Sequence, residues 1–495
     1  MKIFLHITLL VSSTFIYCQE INKIKILNAD EIISDSDLHP DYWRLIGNIK
    51  FQNKETIMYC DSAHHYKKED KIRAYGKIRI DGKNGLHING KKLEYIAKKG
   101  LAIISGNVIM QDVDIELKTD KIDYNILNGI AIYNSKTEII DKDKTLLSKK
   151  GIYYSQNKIF NFSHSVILIG DGYTIKTEKM EYNTVNKISI FHGSTTIYSN
   201  NSLIYCESGH YNNISHISKF NKNASLKNKS YIISGDNIYY NKKLGYGKVI
   251  GNVSVIDTLE NIKIYGDSAH QYQLENKMIV QGNPMLEIPF ENDTLFIYAD
   301  IFNANENNSQ KIISAYHDVD FQKKNLEGKC DSLVYKVSDS LIFMFNNPVL
   351  WSDNLQISSD TMTFFVYMKR LKELRLKSNP MIIEKEDSLD FNQIKGKRIT
   401  VNFKDNSIKN IDVKGNGQSI FLMKNNKETK KIGLNYTECV NMTLFFKENK
   451  FQNIVYKTAP FSKTIPYQDV VDENRYLKGF LWRINEKEKK PRFIQ

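Results

Sequence analysis

Cys60, Asp61, His64 and His65 lie within six residues of one another in the stretch YCDSAHHYKKEDKIRAYGKIRI. A thiol, a carboxylate and two imidazoles that close are the parts of a transition-metal site, or of a cysteine nucleophile with its histidine base. Either chemistry needs its partners gathered at one point. A structural zinc site takes four ligands, and the chain has no CxxC or HExxH spacing to supply them. It also lacks GxSxG, P-loop, GxGxxG and DxDxDG patterns.

The stretch is one copy of many. YGDSAHQYQLENKMIVQGNPML (265–286) repeats it closely, and YCESGHYNNISHISKFNKNASL (205–226) and KCDSLVYKVSDSLIFMFNNPVL (329–350) repeat it loosely. Anchored on the place of Asp61, the units fall at Asp30, Asp61, Lys91, Asp120, Lys150, Glu178, Glu207, Asp236, Asp267, Asp300, Asp331, Asp360, Lys397 and Asn441. Up to Asp360 the steps stay between 28 and 33 residues, a period that signals stacked repeats. Three residues before the anchor the chain is apolar in 12 of 14 units, with Gly328 and Glu438 the exceptions. The residue just before the anchor is small in 12 of 14.

These columns fix the elements. Apolar residues precede the anchor at odd offsets and follow it at even ones, as in Leu93 and Tyr95 or Ile122 and Tyr124. Strict strand alternation has slipped in phase, so a bend or bulge is expected near the anchor. A second mark of Gly, Asn or His falls 14 or 15 residues later: Gly76, Gly106, Asn134, His164, Gly193, Asn221, Gly251, Gly282 and Asn346. It suits turns that need positive φ. Each unit therefore reads as two β segments of about ten residues with a corner at each end. The acidic anchors read as turn-capping carboxylates.

Stacking dissolves the reactive cluster. The Cys60 place is filled elsewhere by Gly, Ala, Thr or Ser, and the His64 place recurs at His210 and His270, five and seven units away. At about 4.8 Å per strand, units five apart are separated by at least about 24 Å and cannot share an ion. Cys60, Cys206 and Cys330 sit in one column, too far apart for disulfides, and together with Cys439 they are expected to be free and buried. Catalytic residues, metal ligands and cofactors are thus all expected to be none.

The 495 residues carry a net charge of +13 and a pI near 9.1, which suits an acidic partner such as phosphate-bearing lipid or nucleic acid. Lys is nevertheless spread along the whole chain, and even FFVYMKRLKELRLK (364–377) reads as a solvated strand face, so no nucleic acid is expected. MKIFLHITLLVSSTFIYCQE has the charge, the short apolar run and the small residues of an export signal over 1–18. Tyr17 is bulky for lipoprotein processing, which disfavours a lipidated Cys18. The repeat region is expected over 19–460, as one module or as two or more consecutive ones. A tail or cap follows at 461–495, with Leu477, Phe480, Leu481 and Trp482 as a docking or end-capping patch.

The unit GD…Y…NK…GNV, carried by Gly266–Asp267, Tyr272, Asn276–Lys277 and Gly282–Asn283, by Gly235–Asp236, Tyr240 and Gly251–Asn252–Val253, and by Gly106–Asn107–Val108, resembles the OstA-like family. That family includes LptA and the periplasmic N-terminal part of LptD. ILNADEIISDSDLHPDYWRLIGNIKF and LKGFLWR are similar to the long OstA-like proteins of Bacteroidota, and the resemblance spans about residues 20–482. It implies an all-β, elongated, repetitive antiparallel β-jellyroll (a β-taco), here of about 14 two-strand units. It implies a non-enzymatic scaffold for lipopolysaccharide transport in outer-membrane assembly. That scaffold would be periplasmic or associated with the outer membrane and would shield lipid A acyl chains. The partners it implies are lipopolysaccharide, other Lpt-type proteins or an outer-membrane translocon, and further copies end to end. On this reading Ile88, Leu117, Ile175, Ile204, Ile233, Ile264 and Ile297 line the lipid groove. Two alternatives stay open: an exported parallel β-solenoid acting on or binding polysaccharide, and an adhesive surface repeat protein with a closed, dry core.

Overall fold

The computed structural model describes residues 23–487 except 36, 83–84, 143, 200, 292, 308–309, 325, 405–406, 426–429 and 448–449. The expected signal segment 1–18 with Cys18, and residues 488–495 of the expected tail, lie outside the described residues. The chain divides into two compact units, Met1–Thr195 and Thr196–Gln495. Among the described residues the chain is nearly all strand, with a single short α-helix at Asp472–Arg475.

In the first unit, strands Trp43–Asn53, Thr56–Tyr66, Lys71–Asp81, Leu86–Ile96, Leu101–Asp112 and Ile115–Asn125 pair antiparallel, each with the next. Each is about eleven residues long and bends at its middle. In Thr56–Tyr66 the buried residues are Thr56, Met58 and Cys60, then Ala63 and His65, so the inward phase slips across Asp61. The pairing registers shift at the same place, where Cys60–Asp61 face Gly76–Lys77–Ile78, which is the extra residue of a β-bulge. Some rungs break there altogether. Thr137–Asp141 pairs with Lys144–Ser148, whereas Ile130–Tyr133 pairs with Lys150–Tyr154. The sheet is thus creased into two walls, with its inward faces turned toward each other.

The second unit repeats the plan in long strands such as Tyr231–Asn241 and Tyr246–Asp257 and in split rungs. Leu341–Phe345 and Thr361–Tyr367 form one wall; Val349–Ser352 and Leu355–Ser358 form the other. The described strands of both units pair antiparallel with their neighbours, so the parallel β-solenoid is excluded. An antiparallel jellyroll is the fold.

The two sequence marks turn out to be one corner. The anchor and the Gly/Asn mark lie opposite each other on neighbouring strands at the crease, while the chain reverses elsewhere, in rim turns such as Lys67–Asp70. Consecutive left-handed residues make the crease: Gly47–Asn48, Gly106–Asn107, Gly251–Asn252 and Gly282–Asn283. A Cβ on Gly251 would lie 2.2 Å from an Asp236 carboxylate oxygen. The neighbouring Asn donates to that carboxylate: Asn48 to Asp30 at 2.9 Å, Asn252 to Asp236 at 3.0 Å, Asn346 to Asp331 at 3.0 Å. The anchors therefore accept side-chain amides across the crease in place of the backbone amides expected of them. Asn134 and Asn221 do not adopt positive φ; in the latter rung Lys222 and Asn223 do.

Candidate functional site

The six-residue cluster is no site. Cys60 and His65 face the interior, while Asp61 is exposed and His64 stacks on Tyr42 at 4.3 Å on the outer face. Burial pushes the Cys60 thiol up to about 12, so it stays protonated at neutral pH. Cys60, Cys206, Cys330 and Cys439 are all free and buried. Among the described residues no group of three or more His, Cys, Asp or Glu side chains converges on a point.

What the repeats build is an interior. In the first unit Met58, Ile80, Ile88, Met110, Leu117, Ile139, Leu146, Leu168 and Ile175 are successive cross-strand partners in one wall, all essentially inaccessible. In the second, Ile204, Leu226, Ile233, Val255, Ile264, Leu286, Ile297 and Phe321 continue the pattern. Six of the seven expected lining residues are buried, and Ile204 is half-buried. The fifth unit is offset by one residue from the expected register. Leu146 points inward and Leu147 does not, because the crease contact is made by Lys149, whose amide bonds His164. Gly328, the glycine in the apolar column, leaves room for the Phe321 ring, which a Cβ there would meet at 2.1 Å.

The opposite wall of the first unit alternates tyrosine and alanine along its rim from Tyr95 through Ala102, Tyr124 and Ala131 to Tyr153, and then continues in aromatic rings alone, Tyr153, Phe160 and Tyr182 being consecutive partners. Two of these tyrosines reach across the mouth. Asp112, at the rim of the other wall, accepts from Tyr153 at 2.5 Å and from Lys158 at 2.5 and 2.7 Å. Asp141 accepts from Tyr182 at 2.5 Å and from Lys187 at 2.7 and 2.8 Å. Both carboxylates are 2% exposed, so each ion pair is largely desolvated and its hydrogen bonds are costly to break. These latches escape a unit-by-unit alignment because their partners lie 41 and 46 residues away, beyond one period. The signal was present as a matched set, since Asp112/Asp141, Tyr153/Tyr182 and Lys158/Lys187 are each 29 apart.

In the second unit the walls stand apart over part of their length. A cavity of about 500 Å³ lies between them. Its floor, lined by Leu350, Ile357 and Ile382 of one wall and by Leu333, Met344 and Leu374 of the other, is closely packed. Its open part is bordered by the half-buried Leu326 and Leu355 of the first wall and Val366, Leu371, Phe403 and Ile408 of the second. Polar groups gather at its rim, among them Asp293, Lys323, Lys324, Asn354, Glu384 and Asn392. Lys323 pairs with Asp293 at 2.9 Å. The contact of Arg370 with Glu291 crosses the mouth to one side of the cavity, and the stacked rings of Phe421 and Phe451, 5.5 Å apart, border it.

On the back of the cavity wall the chain's end forms a strap. Phe461–Pro466 adds a strand to Lys431–Lys447. Leu477 then buries itself among Met381, Ile383, Phe391, Ile420 and Leu434, with Tyr476, Phe480 and Trp482 packed alongside. Leu481 stays exposed. The buried amide of Gln393 donates to the Arg475 carbonyl and accepts from the Leu477 N–H, both at 2.8 Å. Gln356 holds Leu481 and Arg483 in the same way. Asp390, fully buried, receives Lys431, Tyr467 and Arg475.

A family profile described as OstA-like protein matches residues 21–178 and 170–236, and one described as LptA/(LptD N-terminal domain) LPS transport protein matches residues 251–370. No curated protein matches the chain. Among solved structures it is similar to LptH, the LptA-homologous periplasmic component of the lipopolysaccharide transport device of Pseudomonas aeruginosa. Identity is 6% over 24% of this chain and 84% of that one, with a TM-score of 0.21. No described helix is long and apolar enough to cross a membrane. The two profiles fall on the creased repeats that build the interior: the chain belongs to the OstA-like family of lipopolysaccharide-transport proteins.

Proposed function

We propose that the chain is a non-enzymatic periplasmic carrier that shields lipid A acyl chains in the cavity of its second unit. The observation that supports this reading is the cavity itself. Its volume lies within the usual 300–1,000 Å³ range of ligand sites. Its walls are aliphatic and aromatic, and its rim is polar with two lysines. An amphipathic anion fits that division, with acyl chains between the walls and phosphate near Lys324. Binding is by burial alone, at roughly 25 cal/mol per Å² of apolar surface removed from water, and no bond is made or broken.

In the first unit Ile88, Leu117 and Ile175 serve as packed core. Lipid would reach them only if the Asp112 and Asp141 latches parted. Ile204, Ile233, Ile264 and Ile297 continue the apolar column of the second unit up to Phe321, the partner of Ile297, which lines the cavity. The edge strand Lys450–Lys457, with Phe451 and Val455 exposed, is the surface offered to a further jellyroll, whether another copy or another Lpt-type protein.

Native mass spectrometry of the purified protein mixed with lipid A, or with the sugar portion freed of acyl chains, tests the reading. Retention of lipid A and not of the sugar is expected. Equal retention of both would overturn it.

A further inference from the structure

Several charges that stand opposite each other on neighbouring strands are of opposite sign: Arg73 faces Glu94 at 3.6 Å, and Lys263 faces Glu287 at 3.1 Å. Where Lys424 stands opposite Lys431, Glu386, Asp387 and Asp390 neutralise the pair. A longer row of like charges has no such acids paired with it among the described residues. Lys377 is the direct partner of Arg398, Arg398 of Lys414, Lys414 of Asn441, and Asn441 of Lys457. Four cations and one amide thus form a row over five adjacent strands, about 19 Å long at the usual strand spacing. Like charges directly opposite are destabilising.

Nearby acids do not relieve the row. Asp412 takes Asn402, Asn410 and Thr443, and Glu438 takes Gln418 and Tyr436. Among the described residues the Lys457 ammonium has one hydrogen-bond partner, the Thr443 hydroxyl at 3.4 Å. All four cationic residues are exposed. Lys377 and Arg398 also line a shallow cleft along the crease, together with Lys395, Lys397, Val440 and Phe461. Phe461 is 63% exposed, and Val440 and Val455 are both more than 40% exposed, so large apolar groups flank the cations.

We propose that this row docks the chain onto an anionic lipid surface, the cations meeting headgroup phosphates and Phe461 entering the interfacial layer. Charge complementarity alone would also admit a soluble polyanion. The exposed Phe461, Val440 and Val455 beside the row favour a lipid surface, where basic and apolar groups are used together. The inference is independent of what the cavity carries.

The test is co-sedimentation of the full chain with vesicles of equimolar phosphatidylglycerol and phosphatidylethanolamine, and with neutral phosphatidylcholine vesicles. Neither contains lipopolysaccharide, so the outcome does not depend on the interior. Wild type is expected to bind the anionic vesicles only. Each cation near such a surface is worth about fivefold in affinity, so K377Q/R398Q/K414Q/K457Q should bind several-hundred-fold more weakly. The charge-matched K98Q/K99Q/K242Q/K243Q should stay within about fivefold of wild type, and F461S should lose roughly tenfold. Equal loss in both quadruple variants would reduce the effect to net charge and overturn the proposal. So would wild-type binding by the first variant, unchanged binding by F461S, or release from the vesicles by inorganic phosphate. If the quadruple variant fails to fold by circular dichroism, K377Q and K457Q singly, each about fivefold weaker, decide the matter.

Discussion

The first unit holds Tyr153, Phe160 and Tyr182 between its walls, all essentially inaccessible, where the second unit holds open space bordered by the half-buried Leu355, Val366 and Leu371. Both are built from the same bent strands and the same apolar column. They differ at the rim. Asp112 and Asp141 draw a tyrosine and a lysine across the mouth of the first unit, and the tyrosine rings fill the volume beneath. Around the cavity the rim carries Lys323, Lys324 and Asn354 on one wall, and Val366, Leu371 and Phe403 on the other. One repeat can therefore make a closed core or an open container, and the rim residues decide which.

The largest break in this comparison should come from Asp112→Ala. Removing a buried carboxylate from Tyr153 and Lys158 is expected to cost about 4 kcal/mol, read as a loss of thermal stability. Overpacking separates the two interiors next. Ile104→Trp, in the filled first unit, should cost about 3 kcal/mol, whereas Leu371→Trp, at the half-buried border of the cavity, should cost less than about 1 kcal/mol and weaken lipid A retention by at least about tenfold. Equal stability losses in a denaturant titration would erase the distinction drawn between the units.

The crease is common to both units. Gly251→Ala forces a side chain into left-handed backbone against Asp236 and should cost about 1.5 kcal/mol by the same titration. The smallest effect belongs to the rim of the second unit. The hydrogen bond from Lys431, with the Leu389 and Asp390 amides, holds Asp387 down to about 2. A depressed carboxylate contributes stability above its ordinary value near 3.8, and that contribution is lost as pH falls toward about 2. Asp387 is about a third exposed, so after screening the loss should stay under about 1 kcal/mol, and Asp387→Asn should flatten that limb of an acid titration.

The strands, the bend and the inward column were legible because strand periodicity is two and the repeat is nearly constant. The phase slip around Asp61 marks the bulge. Reading Gly76 as a separate corner failed for a physical reason. Both marks sit at one crease on neighbouring strands, and single-sequence spacing cannot tell a turn from a bulge. The latches joining Asp112 to Lys158 and Asp141 to Lys187 stayed hidden because they span more than one period. The cavity stayed hidden because it depends on how far the walls part, which no local pattern encodes. The strap was legible only as the apolar residues Leu477, Phe480 and Trp482. Its anchors, Gln356 and Gln393, are single polar residues in otherwise ordinary strands.

The central claim is that lipid lies between the walls of the second unit. Photo-crosslinking residues placed at Leu355 and at Leu371, on opposite walls of the cavity, with Lys242 on the outer surface as reference, measure it in cells. Adducts with lipopolysaccharide are expected at Leu355 and Leu371 and none at Lys242. Adducts at Lys242 in equal yield, or none at either interior position, would contradict it.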